Sequence, residues 1–507
     1  MNFLRYTWPA ILAACSQGAA GPPTTVDVPT ATVIELQDPA TCKDCHPKQY
    51  QDWSGSMHAY ASDDPLFLAL NKRGQAAGVG TFCVKCHAPM AVHAGTTDGG
   101  IDLANTPKPL HGITCYFCHN VDTVIGTHDN PLQLADDTAM RGEYADAVPN
   151  KAHPSKYSTY LDRDRSESAQ MCGACHDIVN QNDAHIERTY SEWQDSVYSQ
   201  SPGGSTCGQC HTDVSKTLEP IAEGPKVNGV FARRTHSHKF PGVDLALTDW
   251  PEADAQKQAV QAFVDTDLQT SLCVVGFVDM PGANLMLVVD NVAAGHRWPS
   301  GAAQDRRLWF EITAYKGDTP IYTSGIVPEG TAPTDVSKDP DFWLLRDCMF
   351  DSAGKETHNF WDAATFESNS LPAQLTFVPS DPRYYKSHIF QNFPRAVDQK
   401  LDQYPDRVTM QARVQAFPLE LYDELFADPA DEGFTAEQVQ AMRAKLAPLT
   451  VGNSLEWTLA AATDPNPRNG GESYLDSLHR PINCVSKTNL KAAFDKDSAL
   501  NHKMCAP

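Results

Sequence analysis

The sequence predicts a multidomain protein: a mostly α, loop-rich front half followed by a β-sandwich-like domain with a few helices. Three observations lead there. The chain has 507 residues, more than one hydrophobic core accommodates. Five copies of Cys-x-x-Cys-His fall between Cys42 and His211, and none follows. From about Ser271 the pattern turns to short runs of alternating apolar residues, the period of a half-buried strand.

Taken in order, Arg5 is followed by the apolar stretch Trp8–Ala14 and then Cys15 after Leu12-Ala13-Ala14. Small residues before a cysteine resemble a lipoprotein signal, so residues 1–14 read as a lipoprotein signal peptide and Cys15 as the lipidated residue. That stretch is too short to span a bilayer. Residues 15–40, rich in Gly, Ala, Pro and Thr, read as a flexible tether. Residues 41–240 form the motif-bearing domain and 241–265 a linker. A β-sandwich-like domain over 266–480 and a C-terminal tail over 481–507 complete the chain.

Strands are expected at Ser271–Asp279 and Asn284–Asn291, joined at Pro281-Gly282, and at Arg307–Tyr315 and Thr319–Ser324, joined at Lys316-Gly317-Asp318. Further strands are expected at Gln374–Val378, Arg407–Phe417 and Ser454–Ala460. Helices are expected at Leu419–Ala427 and after Thr435, whose Gln438 completes a capping-box pattern. In the front half, Tyr50-x-x-Trp53-x-x-Ser56 returns as Tyr190-x-x-Trp193-x-x-Ser196, with both aromatics on one helical face. His58 in the first copy is matched by Tyr198 in the second.

The repeated motifs are Cys42/Cys45/His46, Cys83/Cys86/His87, Cys115/Cys118/His119, Cys172/Cys175/His176 and Cys207/Cys210/His211. Zinc ribbons and disulfides also use paired cysteines, but neither needs a histidine after every second one. Two thiols adding to the vinyl groups of a porphyrin, with the next imidazole on iron, do need it. The cofactor expected is haem c, five per chain, attached through the ten cysteines and ligated by His46, His87, His119, His176 and His211.

Of 18 histidines, those five are committed, and the rest exceed the five needed as sixth ligands. His58, on the aromatic helix, His238 and His236 after the last motif, and His153 and His128 between the third and fourth motifs are the leading candidates. His111 lies close enough to Cys115 to serve a neighbouring haem, while His93 and His185 read equally as ligands or as surface histidines. Met57, Met90, Met140 and Met171 are further axial possibilities, though a methionine is more often packing. The loop Asn291–Gly301, carrying His296, reads as a connection between strands, with His296 reaching a haem across the domain interface as the alternative. The four remaining cysteines of the second half, Cys273, Cys348, Cys484 and Cys505, suggest disulfides in any of three pairings; in one of them Cys484–Cys505 would close the tail and Cys273–Cys348 would brace the sandwich.

Forty basic against 63 acidic side chains give a net charge of −23, which excludes nucleic acid as a partner and favours basic redox proteins. Haem attachment takes place outside the cytoplasmic membrane, so the expected location is exported and lipid-anchored, with outer-membrane anchoring favoured by Ser16 after Cys15. The partners expected are exported electron donors and acceptors, with the membrane reached through the lipid.

The run CKDCHPKQYQDWSGSMHAYA, followed by FCVKCHAP, GITCYFCH, MCGACHD and CGQCH, resembles the multihaem cytochromes grouped with cytochrome c-554 and hydroxylamine oxidoreductase. The resemblance spans roughly Cys42 to Phe240. It implies haems in closely stacked pairs acting as an electron wire, and it points to His58, His153 and His238. The strands around GHRWPSG resemble a β domain that follows the haem domain in some exported relatives. Five motifs where the group's enzyme has eight, and the lack of any Cys-x-x-Cys-Lys, speak against hydroxylamine or nitrite chemistry. Single-electron transfer between exported partners is the expected function. Oxidoreduction of a small nitrogen or sulfur compound at a five-coordinate haem is the alternative.

Overall fold

A computed structural model describes residues 31–485, apart from 147–149, 201–202, 225–231, 336–338, 397, 465 and 467–469. Cys15 and Cys505, with the signal and lipidation expectations, lie outside the described residues.

The front half is built from short helices separated by loops. The longest, Pro65–Ala76, begins at Asp64, whose carboxylate accepts the Leu66 amide, and has proline in its first turn, a favourable N-terminus on both counts. Small two-stranded pairings interrupt the helices: Val121–Val124 with Leu132–Leu134, Met140–Gly142 with Ser155–Tyr157, Ile178–Val179 with His185–Glu187, and Glu219–Pro220 with Ala232–Arg233. "Mostly helical" therefore understates the strands here. In the whole chain helix and strand are nearly balanced, at about 28% and 25%.

The second half contains two five-stranded sheets. One runs His388–Phe393, Asn284–Asn291, Leu268–Val275, Pro481–Val485, Gly471–Leu475. The other runs Thr319–Ser324, Arg307–Lys316, Arg407–Gln415, Leu449–Thr458, with Leu344–Leu345 paired to the second of these. Alternate residues of both enter one core: Leu285, Leu287 and Val289 from the first sheet, and Leu308, Phe310, Ile312, Val408, Met410 and Trp457 from the second. Burial on this scale contributes about 25 cal/mol per Å² of apolar surface. Lys316 pairs with Thr319, leaving the two-residue turn Gly317-Asp318, and Gly317 takes φ 56°, a conformation glycine adopts without strain. The helices Leu419–Leu425 and Ala436–Lys445 form, the latter with the Thr435/Gln438 capping box.

Several expectations are corrected. Within 15–40, Val33–Gln37 is a helix with its own capping box from Thr32 and Glu35, so that end of the expected tether is ordered structure. The expected linker 241–265 contains the helix Ala253–Val264, with Val260 and Val264 fully buried. The expected tail begins with Pro481–Val485, an inner strand of the first sheet. That strand sets Cys484 opposite Cys273, with Cα atoms 4.0 Å apart, and the two form a disulfide. The pairings Cys484–Cys505 and Cys273–Cys348 are thus overturned by strand register. Gln374–Val378 is not a strand, because its backbone meets the front half instead: the Gln374 carbonyl accepts the Val197 amide at 2.8 Å.

The two halves share a broad interface. Leu66 and Ala69 of the front half pack with Leu421, Tyr422 and Met442 of the second. Asn180 donates to the carbonyls of Phe360 and Ala363, both at 2.7 Å, and the partly buried Arg188 pairs with the buried Asp347. Among the described residues no helix is long and apolar enough to cross a membrane.

Candidate haem site

Each motif is wound so that its three reactive side chains emerge together. Cys115–His119 and Cys207–His211 are single helical turns, capped by Thr114 and Thr206 whose hydroxyls accept the Phe117 and Gln209 amides. Residues i, i+3 and i+4 lie on one face of such a turn, so two thiols and an imidazole point the same way. All ten motif cysteines and all five motif histidines line one continuous cavity of about 1300 Å³. Apolar clusters in the front half are small, so the interior there is this thiol- and imidazole-lined space, and the donor set fits haem c.

Further histidines enter the cavity opposite the motifs. His153 stands 6.4 Å from His46, His58 stands 6.2 Å from His176, and His238 stands 6.3 Å from His119, measured between ring centres. Two imidazoles on one iron, with metal–nitrogen bonds of about 2 Å and ~1.1 Å from nitrogen to ring centre, are roughly 6.2 Å apart. Three motif histidines thus face a second imidazole at the separation one iron between them requires.

The ring nitrogens tell the same story. Nδ1 donates to a backbone carbonyl in His46 (Ile221, 2.9 Å), His87 (Ala61, 3.0 Å), His119 (Arg141, 2.6 Å), His211 (Pro241, 2.9 Å), His153 (Pro154, 3.0 Å) and His238 (His236, 3.1 Å). Such a bond fixes the tautomer that leaves Nε2 with a free lone pair. Burial pushes His46, His176, His211 and His238 down to about 4 and His58 to about 3, so these rings are the neutral donors iron needs.

Other predicted histidines are placed differently. His128 lies outside the cavity lining; its side chain is 45% exposed, with Nδ1 on Asp129. His236 lines the cavity, yet its Nδ1 faces the Glu143 carboxylate at 3.0 Å, and the imidazole facing His119 is His238. His111 has both nitrogens against acceptors, Asp63 at 2.9 Å and the Thr106 carbonyl at 3.0 Å. The Nε2 of His93 faces Asp136 and that of His185 faces Asp177.

Two histidines of the second half also line the cavity, of which the sequence points only to His296, as an alternative to a plain connection. His358 held no sequence signal; its Nδ1 is on Asp305 at 2.6 Å. For His296, in its Gly/Pro-bounded turn, the connection is the favoured expectation and the cavity position fits the alternative.

Sulfurs of different motifs also meet. Cys42 lies near Cys115, Cys86 near Cys175, and Cys172 near Cys207. The first and third motifs are therefore adjacent, as are the second and fourth and the fourth and fifth.

Residues 41–120 match the family described as cytochrome c554 and c-prime. The fold is similar to the crystal structure of a penta-heme cytochrome c552 from Thermochromatium tepidum, with a TM-score of 0.55 at 16% identity over 84% of this chain and 99% of that one. The five attachment motifs, the family match over 41–120 and the shared fold together support a multihaem c-type cytochrome. No curated protein sequence matches the cytochrome. The structural likeness takes in the β-rich half as well as the motif-bearing half, since it spans most of both chains.

Proposed function

We propose that this cytochrome carries five haems and passes single electrons between exported redox partners, held at a membrane, the outer membrane by preference, by a lipid on Cys15. The three facing imidazole pairs carry this reading. An iron held by two imidazoles has no open position for substrate and changes charge with little change in geometry. Haem c supplies one-electron chemistry at these positions, with potentials lowered by histidine rather than methionine on the sixth site.

The chain's own residues then do three things. The motif turns fix each attachment point, the Nδ1 bonds orient each ring, and the inter-motif sulfur contacts set neighbouring attachment points side by side. A wire needs that adjacency. The charge of −23 suits basic partners, attracted at low ionic strength.

One observation favours a second reading at the second motif. The ring stacked on His87 is Phe67, at 4.0 Å and 4°, with no imidazole facing it among the described ring contacts. An open iron there would make the protein an oxidoreductase for a small nitrogen or sulfur compound.

A pyridine haemochrome assay with mass spectrometry tests the first reading, with about five covalent haems per chain expected; a chain without covalent haem ends it. Carbon monoxide titration of the reduced protein separates the two readings. No uptake leaves the carrier, and uptake of about one equivalent supports an open site.

A further inference from the structure

We propose that His296, carried by the β-rich half, is the sixth ligand of the iron whose fifth ligand is His211. The inference rests on the haem reading above and deepens it, because it makes one haem a bond between the two halves of the molecule.

His296 sits in the loop between the strands Asn284–Asn291 and Arg307–Lys316, and it lines the same cavity as the motifs. Its Nδ1 donates to the Arg297 carbonyl at 2.6 Å. Nε2 is thereby the free nitrogen, as in the histidines that pair across the cavity. The loop is held from within, since Asn291 donates to the His296 carbonyl at 2.7 Å.

It is also held from the front half. Tyr198, in the position that His58 occupies in the first aromatic repeat, donates its hydroxyl to the Val292 carbonyl at 2.6 Å. Its ring lies beneath Gly295, where a Cβ would meet the ring at 3.6 Å. The first repeat presents its own imidazole, and the second presents a tyrosine that docks a loop bearing one.

The choice of iron follows from what is already paired. His46, His119 and His176 each face a histidine of the front half. His211 and His87 remain. Tyr198, which lies against Gly295, also accepts at its carbonyl the amide of Ser205 at 2.8 Å, two residues before Cys207, and packs with Cys207 of the fifth motif on one apolar cluster. The loop therefore serves the fifth motif rather than the second.

The test uses the full-length, haem-loaded protein. In His296→Ala, the reduced protein should take up about one more equivalent of carbon monoxide than the parent, and the ferric protein should gain one high-spin haem that free imidazole returns to low spin. Unchanged uptake and spin state at full haem content would overturn the assignment. Should that variant fail to accumulate, His296→Met should show one histidine–methionine haem by its absorption and circular dichroism signature, and a purely bis-histidine spectrum overturns the assignment equally. Haem content is measured first in the parent. A parent without covalent haem refutes the underlying reading, whereas full content with a silent His296 refutes only the ligand.

Discussion

His111 is more deeply buried than His153, yet only His153 faces a motif imidazole. The difference lies in the second ring nitrogen. Both nitrogens of His111 are engaged by Asp63 and Thr106, whereas the His153 carbonyl bond uses Nδ1 alone. His153→Ala should therefore create one high-spin haem, read by electron paramagnetic resonance. His111→Ala should leave every haem spectrum unchanged and lower unfolding free energy by about 1–3 kcal/mol in denaturant titration. Away from the haems, the buried cross-strand pair Asp290 and His388 shapes acid stability. Burial raises Asp290 from 3.8 to about 6 and lowers His388 from 6.5 to about 4. A raised acid binds protons better in the folded state, so its stabilisation fades as pH rises from about 4 to 6. The depressed histidine has the opposite slope, its stabilisation fading as pH falls from about 6.5 to 4. The two nearly cancel. Asp290→Asn should unmask a rise of melting temperature between pH 4 and 6.5, and a slope equal to the parent's would refute the pairing.

At the scale of elements, the aromatic echo was legible from spacing because each copy folds by the same local bonds. Trp53 and Trp193 each donate to a distant carbonyl at 2.8 Å, and Ser56 and Ser196 each donate back to the tryptophan carbonyl at 2.7 Å. Strands such as Asn284–Asn291 were legible because alternation reports a buried face. Gln374–Val378 was not, because its backbone bonds to Val197, some 180 residues away in the chain, while Phe377 and Val378 stay exposed. Disulfide partners were equally hidden: Cys273 and Cys484 are 211 residues apart, and only strand order brings them together. Replacing both with serine should cost about 2–4 kcal/mol, measured as a shift of the denaturant midpoint of the β-rich half with haem spectra retained.

For the molecule as a whole, five repeated words fixed the cofactor, but sixth ligands needed three dimensions. His58 and His238, which face motif imidazoles, could be named from position, while the proposed ligand His296 belongs to another domain, and nothing in its neighbourhood of sequence points to the fifth motif. Charge acts at this scale too. Reduction by a basic cytochrome should slow as ionic strength rises from 10 to 150 mM, where the screening length falls from about 30 to 8 Å. A salt-independent rate would show that the acidic surface plays no part in docking.

The sulfur contacts between motifs carry a consequence for biogenesis. Cys42 and Cys115, Cys86 and Cys175, and Cys172 and Cys207 are neighbours, so in a chain that folded under oxidising conditions ahead of its porphyrins these pairs would compete to form three wrong bridges. Ligation must outrun collapse, with reductant present, and each thioether that forms removes one route to a dead-end scramble. Peptide mapping of chain made without the haem-attachment machinery should recover those three bridges.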